Sequence, residues 1–180
     1  SGLKAGTAEV YDYEIPGGQY SNLGPQVRAL GLTDRWEEVK ENYKIVNNVL
    51  GDLIKVTPSS KVVGDLALFM TTQNLSREEL LDKAESLSFP DSTMAFFRGE
   101  IGQPYGGFPK DLQQAVLKDE KPYTKRANAH LEPVDFKKEF AEFRKEFPQS
   151  YDELDFIAFK LYPKVFRDYV AFKDEYGSQM

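Results

Sequence analysis

The chain has 180 residues, 41% hydrophobic and 13% aromatic, which suits one globular domain or one domain with a helical appendage. Lys and Arg number 23 against 29 for Asp and Glu, and the net charge of −6 disfavours the counterion release that drives most nucleic-acid binding, so no nucleic-acid partner is expected. With no Cys and a single His, disulfides, thiolate metal sites, thiol catalysis and multi-His metal centres are excluded within the chain, and no metal ligand is expected in it.

Residues 1–25 hold Gly2, Gly6, Pro16, Gly17, Gly18, Gly24 and Pro25, and this density of breakers predicts an irregular arm with a short extended piece at "AEVYDYEI". The opening "SGLKAGTAEVYDYE" lacks the basic-then-apolar shape of a signal peptide. No apolar run approaches the roughly 20 residues of a membrane span. A cytoplasmic or matrix location without a membrane partner is therefore expected. Ser1 in place of Met reads as the start of a piece of a longer protein, or as a cloning remnant.

From residue 26 to 177 the periodicity predicts helices. Trp36, Val39, Tyr43, Val46 and Leu50 recur on one helical face, with Thr33 or Asp34 as cap and Gly51 as stop. A second helix follows "VTPSSK", with Val62, Leu66, Phe69 or Met70, and Gln73 on one face. "LSREELLDKAESL" predicts a third, with Ser76 as N-cap and Glu79 three residues on in the capping-box pairing. "FPDSTMAFFRGEI" predicts a short fourth, and after the turns of "GQPYGGFP" another starts near Pro109.

Residues 119–133 read as a polar surface crossing, and His130 within them as structural or merely exposed. Beyond it Phe136, Phe140, Phe143 and Phe147 form a stripe that reads as core, and two more helical segments part at Pro163. Asp152 and Glu153 read as acids at a helix start. The fold class expected is mainly α.

The corner "VTPSSK" carries the chemistry. Pro58 suits the first helical position, which puts Thr57 at the N-cap. On that reading Thr57, or else Ser59, accepts a hydrogen bond from an early helical N–H, contributing about 0.5–2 kcal/mol. A second reading uses the same residues differently. A helix start with free N–H groups, neighbouring hydroxyls and the Lys61 ammonium suits an anionic or polar ligand, and a hydroxyl that both donates and accepts can relay a proton. Spacing alone leaves both readings open.

The segments "EVYDYEIPGGQYSNL", "VTPSSKVVGDLALFM", "LSFPDS" and "GQPYGGFP", in this order, closely resemble the C-terminal part of the carboxyltransferase domain in the pyruvate carboxylase family. The resemblance runs from about Gly2 to about Gly177. It implies a helical, funnel-like part of a domain spanning residues 1–180, set over the mouth of a β/α barrel that precedes it in a longer, biotin-dependent enzyme making oxaloacetate from pyruvate, and a loosely packed arm over the first 25 residues, which would lie against that barrel.

By motif it implies that Thr57 relays a proton between pyruvate and biotin, and that Gln19, Ser60 and Lys61 line the biotin pocket. The metal ligands and the pyruvate clamp would come from the barrel. A divalent metal and ATP would bind elsewhere in the full-length enzyme, biotin would arrive on a carrier domain, and the enzyme would be a homo-oligomer. This chain alone is expected to be inactive. Lys61 and the "LSFPDS" form favour pyruvate carboxylase over oxaloacetate decarboxylase or 2-oxoglutarate carboxylase. A non-catalytic helical interaction module, using "GQPYGGFP" or the Phe-rich tail as its surface, is the remaining alternative.

Overall fold

The computed structural model describes residues 7–149 and 151–177. It is mainly α, as expected, with ten α-helices and no strand among the described residues. The helices are α1 (Glu9–Asp12), α2 (Gly17–Ala29), α3 (Trp36–Val49), α4 (Thr57–Gln73), α5 (Arg77–Asp82), α6 (Asp91–Arg98), α7 (Lys110–Leu117), α8 (Phe136–Glu146), α9 (Glu153–Leu161) and α10 (Pro163–Tyr176). They group into two compact units, Ser1–Leu131 and Glu132–Met180. No described helix is long and apolar enough to cross a membrane.

In the first unit α4 is the central element, packed against α2, α3 and α6. Its sequence explains this position. Val62, Val63, Leu66 and Met70 are buried, and so is the small-residue row Ser60, Gly64, Ala67 and Thr71, so the helix is covered on most sides. The core continues through Val39, Tyr43 and Val46 of α3, Leu80 of α5, and Phe96 and Phe97 of α6. Across the α3–α4 contact Asn42 Nδ2 donates to Thr71 Oγ1 at 2.8 Å, and that hydroxyl donates to the Ala67 carbonyl at 3.0 Å. The two bonds pair buried polar groups with one another.

The arm expected to be irregular is not so where it is described. Gly2 and Gly6 lie outside the described residues. Residues 17–25, however, belong to α2 and run through Gly24 and Pro25. Tyr20, Leu23 and Val27 form an i, i+3, i+7 stripe that is buried, and this burial outweighs the local cost of the breakers. Nor is the packing loose, because Ile15 and Leu23 are fully enclosed.

The extended piece expected at "AEVYDYEI" is instead the single turn α1 followed by a return of the chain, with the Ile15 N–H donating to the Val10 carbonyl at 3.0 Å. A charged cluster holds it. Buried Lys40 Nζ lies 3.0 Å from Glu9 Oε1 and 2.8 Å from Glu37 Oε1 and sits over the Tyr13 ring, while the Tyr20 hydroxyl donates to Glu9 Oε2 at 2.7 Å. Those hydrogen bonds, first from Tyr20 and then from Lys40, hold the Glu9 carboxyl below its ordinary range. The cluster sets α1 and α2 against α3, and so places Gln19.

Neither Thr33 nor Asp34 caps α3. The segment Thr33–Arg35 is a 3₁₀ turn, and no side chain caps the helix that follows. Gly51, at φ 91°, does end its run. The Ser76–Glu79 pairing at α5 is as expected: Ser76 Oγ accepts from the Glu79 N–H at 3.1 Å, and Glu79 Oε2 accepts from the Ser76 N–H at 3.0 Å. The polar crossing is pinned at Tyr123, whose N–H donates to the Arg98 carbonyl at 2.7 Å, and exposed His130 stacks on the Tyr123 ring.

In the second unit Phe143, Phe147, Tyr151, Phe156, Phe166 and Val170 form the core. Phe140 packs at its edge, but Phe136, at the start of α8, is exposed. Asp152 caps α9, accepting from the Leu154 N–H at 2.8 Å and the Asp155 N–H at 3.1 Å. That is how an acid at a helix start is used.

Candidate functional site

The chain leaves α3 through Gly51 and Asp52, both at positive φ, and enters α4 from an extended Val56. The first intrahelical bond runs from the Ser60 N–H to the Val56 carbonyl at 2.8 Å. Val56 is therefore the N-cap, Thr57 the first helical residue and Pro58 the second, one place later than the sequence reading put them. Closure of the corner falls to Ser59. Its Oγ accepts from the Val56 N–H at 3.0 Å and donates to the Ile54 carbonyl at 2.8 Å, tying the helix start to the incoming loop.

The expected capping bond from Thr57 is consequently absent. Its side chain is exposed and makes no hydrogen bond among the described residues. Pro58 lacks an N–H, so the helix start also keeps fewer free donors than a Pro-free start would.

Ser60 points inward. It is buried, and its hydroxyl donates to the Thr57 carbonyl at 3.2 Å. One turn on along the same face, Gly64 receives the Gln19 side chain from α2. A Cβ at Gly64 would stand 2.3 Å from Gln19 Nε2, so the missing side chain is what admits the amide. Gln19 thus reaches the same end of α4 as Ser60 and Lys61, although it lies far from them in sequence.

Lys61 extends outward with its side chain 62% exposed, and its ammonium pairs with Asp65 one turn along. The same Asp65 oxygen accepts the Ser92 hydroxyl from α6 at 2.6 Å. As an exposed i, i+4 pair, Lys61 and Asp65 add only about 0.3–0.5 kcal/mol to stability. The sequence analysis gave no role to Asp65, Ser92 or Gly64. The i, i+4 spacing was a usable signal for Asp65. No comparable signal exists for Ser92, which meets α4 only through the packing of α6.

The loop "GQPYGGFP" comes to the same corner. A groove has Val56, Pro58 and Ser59 on one side and Gln103, Pro104 and Tyr105 on the other. Of the corner residues only Val56, Pro58 and Ser59 line this groove; Thr57, Ser60, Lys61 and Gly64 recur at i, i+3, i+4 and i+7 on another face of α4, where Gln19 meets Gly64. Among the described residues no three His, Asp or Glu side chains come together as a metal site.

Comparison with known proteins gives a consistent set of matches. Residues 10–180 match the family described as the conserved carboxylase domain. The chain is 51% identical over 177 residues to pyruvate carboxylase of Bacillus subtilis and 46% identical over 178 residues to that of Staphylococcus aureus. It is covered to 98% and 99% in these matches, and it spans only 15% and 16% of the relatives' lengths. The carboxyl transferase domain of Rhizobium etli pyruvate carboxylase superposes with a TM-score of 0.90 at 42% identity, covering 98% of this chain and 30% of that one. The same domain solved with pyruvate and biocytin matches with a TM-score of 0.91 at 42% identity, with the same coverage of both chains.

Proposed function

Because the chain belongs to the conserved carboxylase domain family, we propose that it forms the biotin-side wall of a carboxyltransferase site in a longer biotin-dependent pyruvate carboxylase, where carboxyl transfer to pyruvate gives oxaloacetate. The rest of the site would come from an upstream barrel holding the metal and the pyruvate, with biotin delivered by a carrier domain and the whole enzyme a homo-oligomer. The observation that carries the reading is the state of Thr57. Its hydroxyl is exposed at a helix start and bonds to none of the described residues, while Ser59 performs the local closure.

The corner suits biotin chemically. The Gln19 amide, the Lys61 ammonium and the Thr57 hydroxyl are the kinds of donor that a ureido ring accepts from. When bound, biotin supplies the carboxyl group. Thr57 then accepts a proton at Oγ1 from the pyruvate side as it gives its own proton to the biotin side, and it ends the step unchanged. Ser60 supports that residue from below by donating to its carbonyl. Lys61 offers positive charge to the ring or to the transferred carboxylate.

The test is Thr57→Ala in the full-length enzyme. The pyruvate-dependent rate should fall about 10²- to 10⁴-fold, while biotin carboxylation at the other site is spared and Thr57→Ser keeps most of the activity. Since the hydroxyl bonds to none of the described residues, the unfolding free energy should change by no more than about 0.5 kcal/mol. A folded Thr57→Ala enzyme with normal turnover would reject the relay.

A further inference from the structure

Helix α4 carries only two charged residues, Lys61 and Asp65, on a surface that is otherwise mostly buried. An acid in such a place needs partners, because a half-buried carboxylate without them is costly. Asp65 has two. Its side chain is 20% exposed, and one oxygen, Oδ2, takes both the Ser92 hydroxyl at 2.6 Å and the Lys61 ammonium.

The geometry is directional. Ser92 is the second residue of α6, and its hydroxyl, donating to Oδ2, ties the Asp65 carboxylate to that helix. Lys61 is the opposite case, a flexible stem with a mostly exposed tip. Left alone it would sample many rotamers and would lose that freedom on engaging a ligand.

We propose that Asp65, steered by Ser92 across the α4–α6 contact, is the positioning residue that holds the Lys61 ammonium in place for the biotin-side ligand. This rests on the assignment of Lys61 to that side of the site. It gives "LSFPDS" a task, since Ser92 closes that motif. It also links two segments that only the packing of α6 on α4 brings together.

The experiment uses the full-length enzyme and measures the pyruvate-dependent rate, KM for pyruvate and unfolding midpoint. Asp65→Asn should lower kcat about threefold to tenfold, leaving KM for pyruvate and the unfolding midpoint little changed. Ser92→Ala should shift kcat in the same direction by less, and Ser92→Thr, which keeps the hydroxyl, should restore it.

Coupling supplies the decisive arm. Lys61→Met should lower kcat, and adding Asp65→Asn to it should cause no further loss. If the two losses multiply, Asp65 acts independently of Lys61 and the proposal fails, while the assignment of Lys61 survives. If Lys61→Met is fully active, that assignment fails and takes this proposal with it.

Discussion

Gly64 is the contact through which α2 and α4 share the candidate site. A side chain there would meet Gln19 Nε2 at 2.3 Å but Leu23 Cδ1 only at an ordinary 3.6 Å, so the neighbour that must move is the far end of a flexible side chain. Gly within a helix costs about 0.5–1 kcal/mol relative to Ala. Gly64→Ala should therefore leave stability unchanged or raise it by up to about 1 kcal/mol. In the full-length enzyme it should also displace Gln19 and lower the pyruvate-dependent rate several-fold. Denaturant unfolding beside that rate checks both halves, and a stable, fully active Gly64→Ala enzyme would remove Gln19 from the site. Residue identity at the corner was legible to different degrees. Thr57 and Lys61 stand out in "VTPSSK", whereas the division of labour between Thr57 and Ser59 depends on which hydroxyl the backbone turns toward Ile54.

At the scale of elements, α1 is held chiefly through side chains, and its attachment should depend on pH. Glu9 is held below its ordinary carboxyl range by hydrogen bonds from Tyr20 and Lys40. The unfolded chain therefore binds more protons than the folded one between the two pKa values, so stability rises with pH across that interval. The contribution is fully present above the ordinary carboxyl value of about 4.5 and is lost as pH falls through the lower folded value. Hydrogen exchange of the Tyr13 and Ile15 amides, whose acceptors are the Glu9 and Val10 carbonyls, should accelerate relative to α4 amides as the solution is acidified through that window. Tyr20→Phe, which removes the largest of the two bonds, should move the onset to higher pH. An onset unmoved by Tyr20→Phe would show that Glu9 does not govern the attachment. The same comparison of local and distant forces explains α2. Counting Gly and Pro sees only the local term, and a helix is recovered only when the Tyr20, Leu23 and Val27 stripe is given a surface to cover.

For the whole molecule, the division at Leu131 and Glu132 separates a mainly aliphatic core from a mainly aromatic one. Phe143 is at the centre of the second, within 5.1–5.7 Å, ring centroid to centroid, of Phe147, Phe156, Phe159 and Phe166. Phe143→Ala should cost about 3–5 kcal/mol, read as lost hydrogen-exchange protection in α8, α9 and α10, while α3 and α4 keep theirs. Equal loss in α3 and α4 would mean that the two cores unfold as one. The chain by itself should show no oxaloacetate turnover, because a wall bearing a proton relay lacks most of the proximity and electrostatic contributions that the metal and substrate clamp of the proposed barrel would add. Measurable turnover by the purified chain would contradict this.

Helix type and order from α3 onward, the capping pair at Ser76 and Glu79, the aromatic core from Phe140 to Phe147 and the polar character of "VTPSSK" were all readable from the sequence. Each depends on neighbours within a few positions, where periodicity and residue chemistry act directly. The helical course of residues 17–25, the placing of Gln19 against Gly64 and the bond from Ser92 to Asp65 were decided only in three dimensions. Each of these contacts joins positions 27 or more residues apart or depends on buried area that exists only once α2, α4 and α6 have packed, and short-range spacing carries no record of which distant helix supplies a partner.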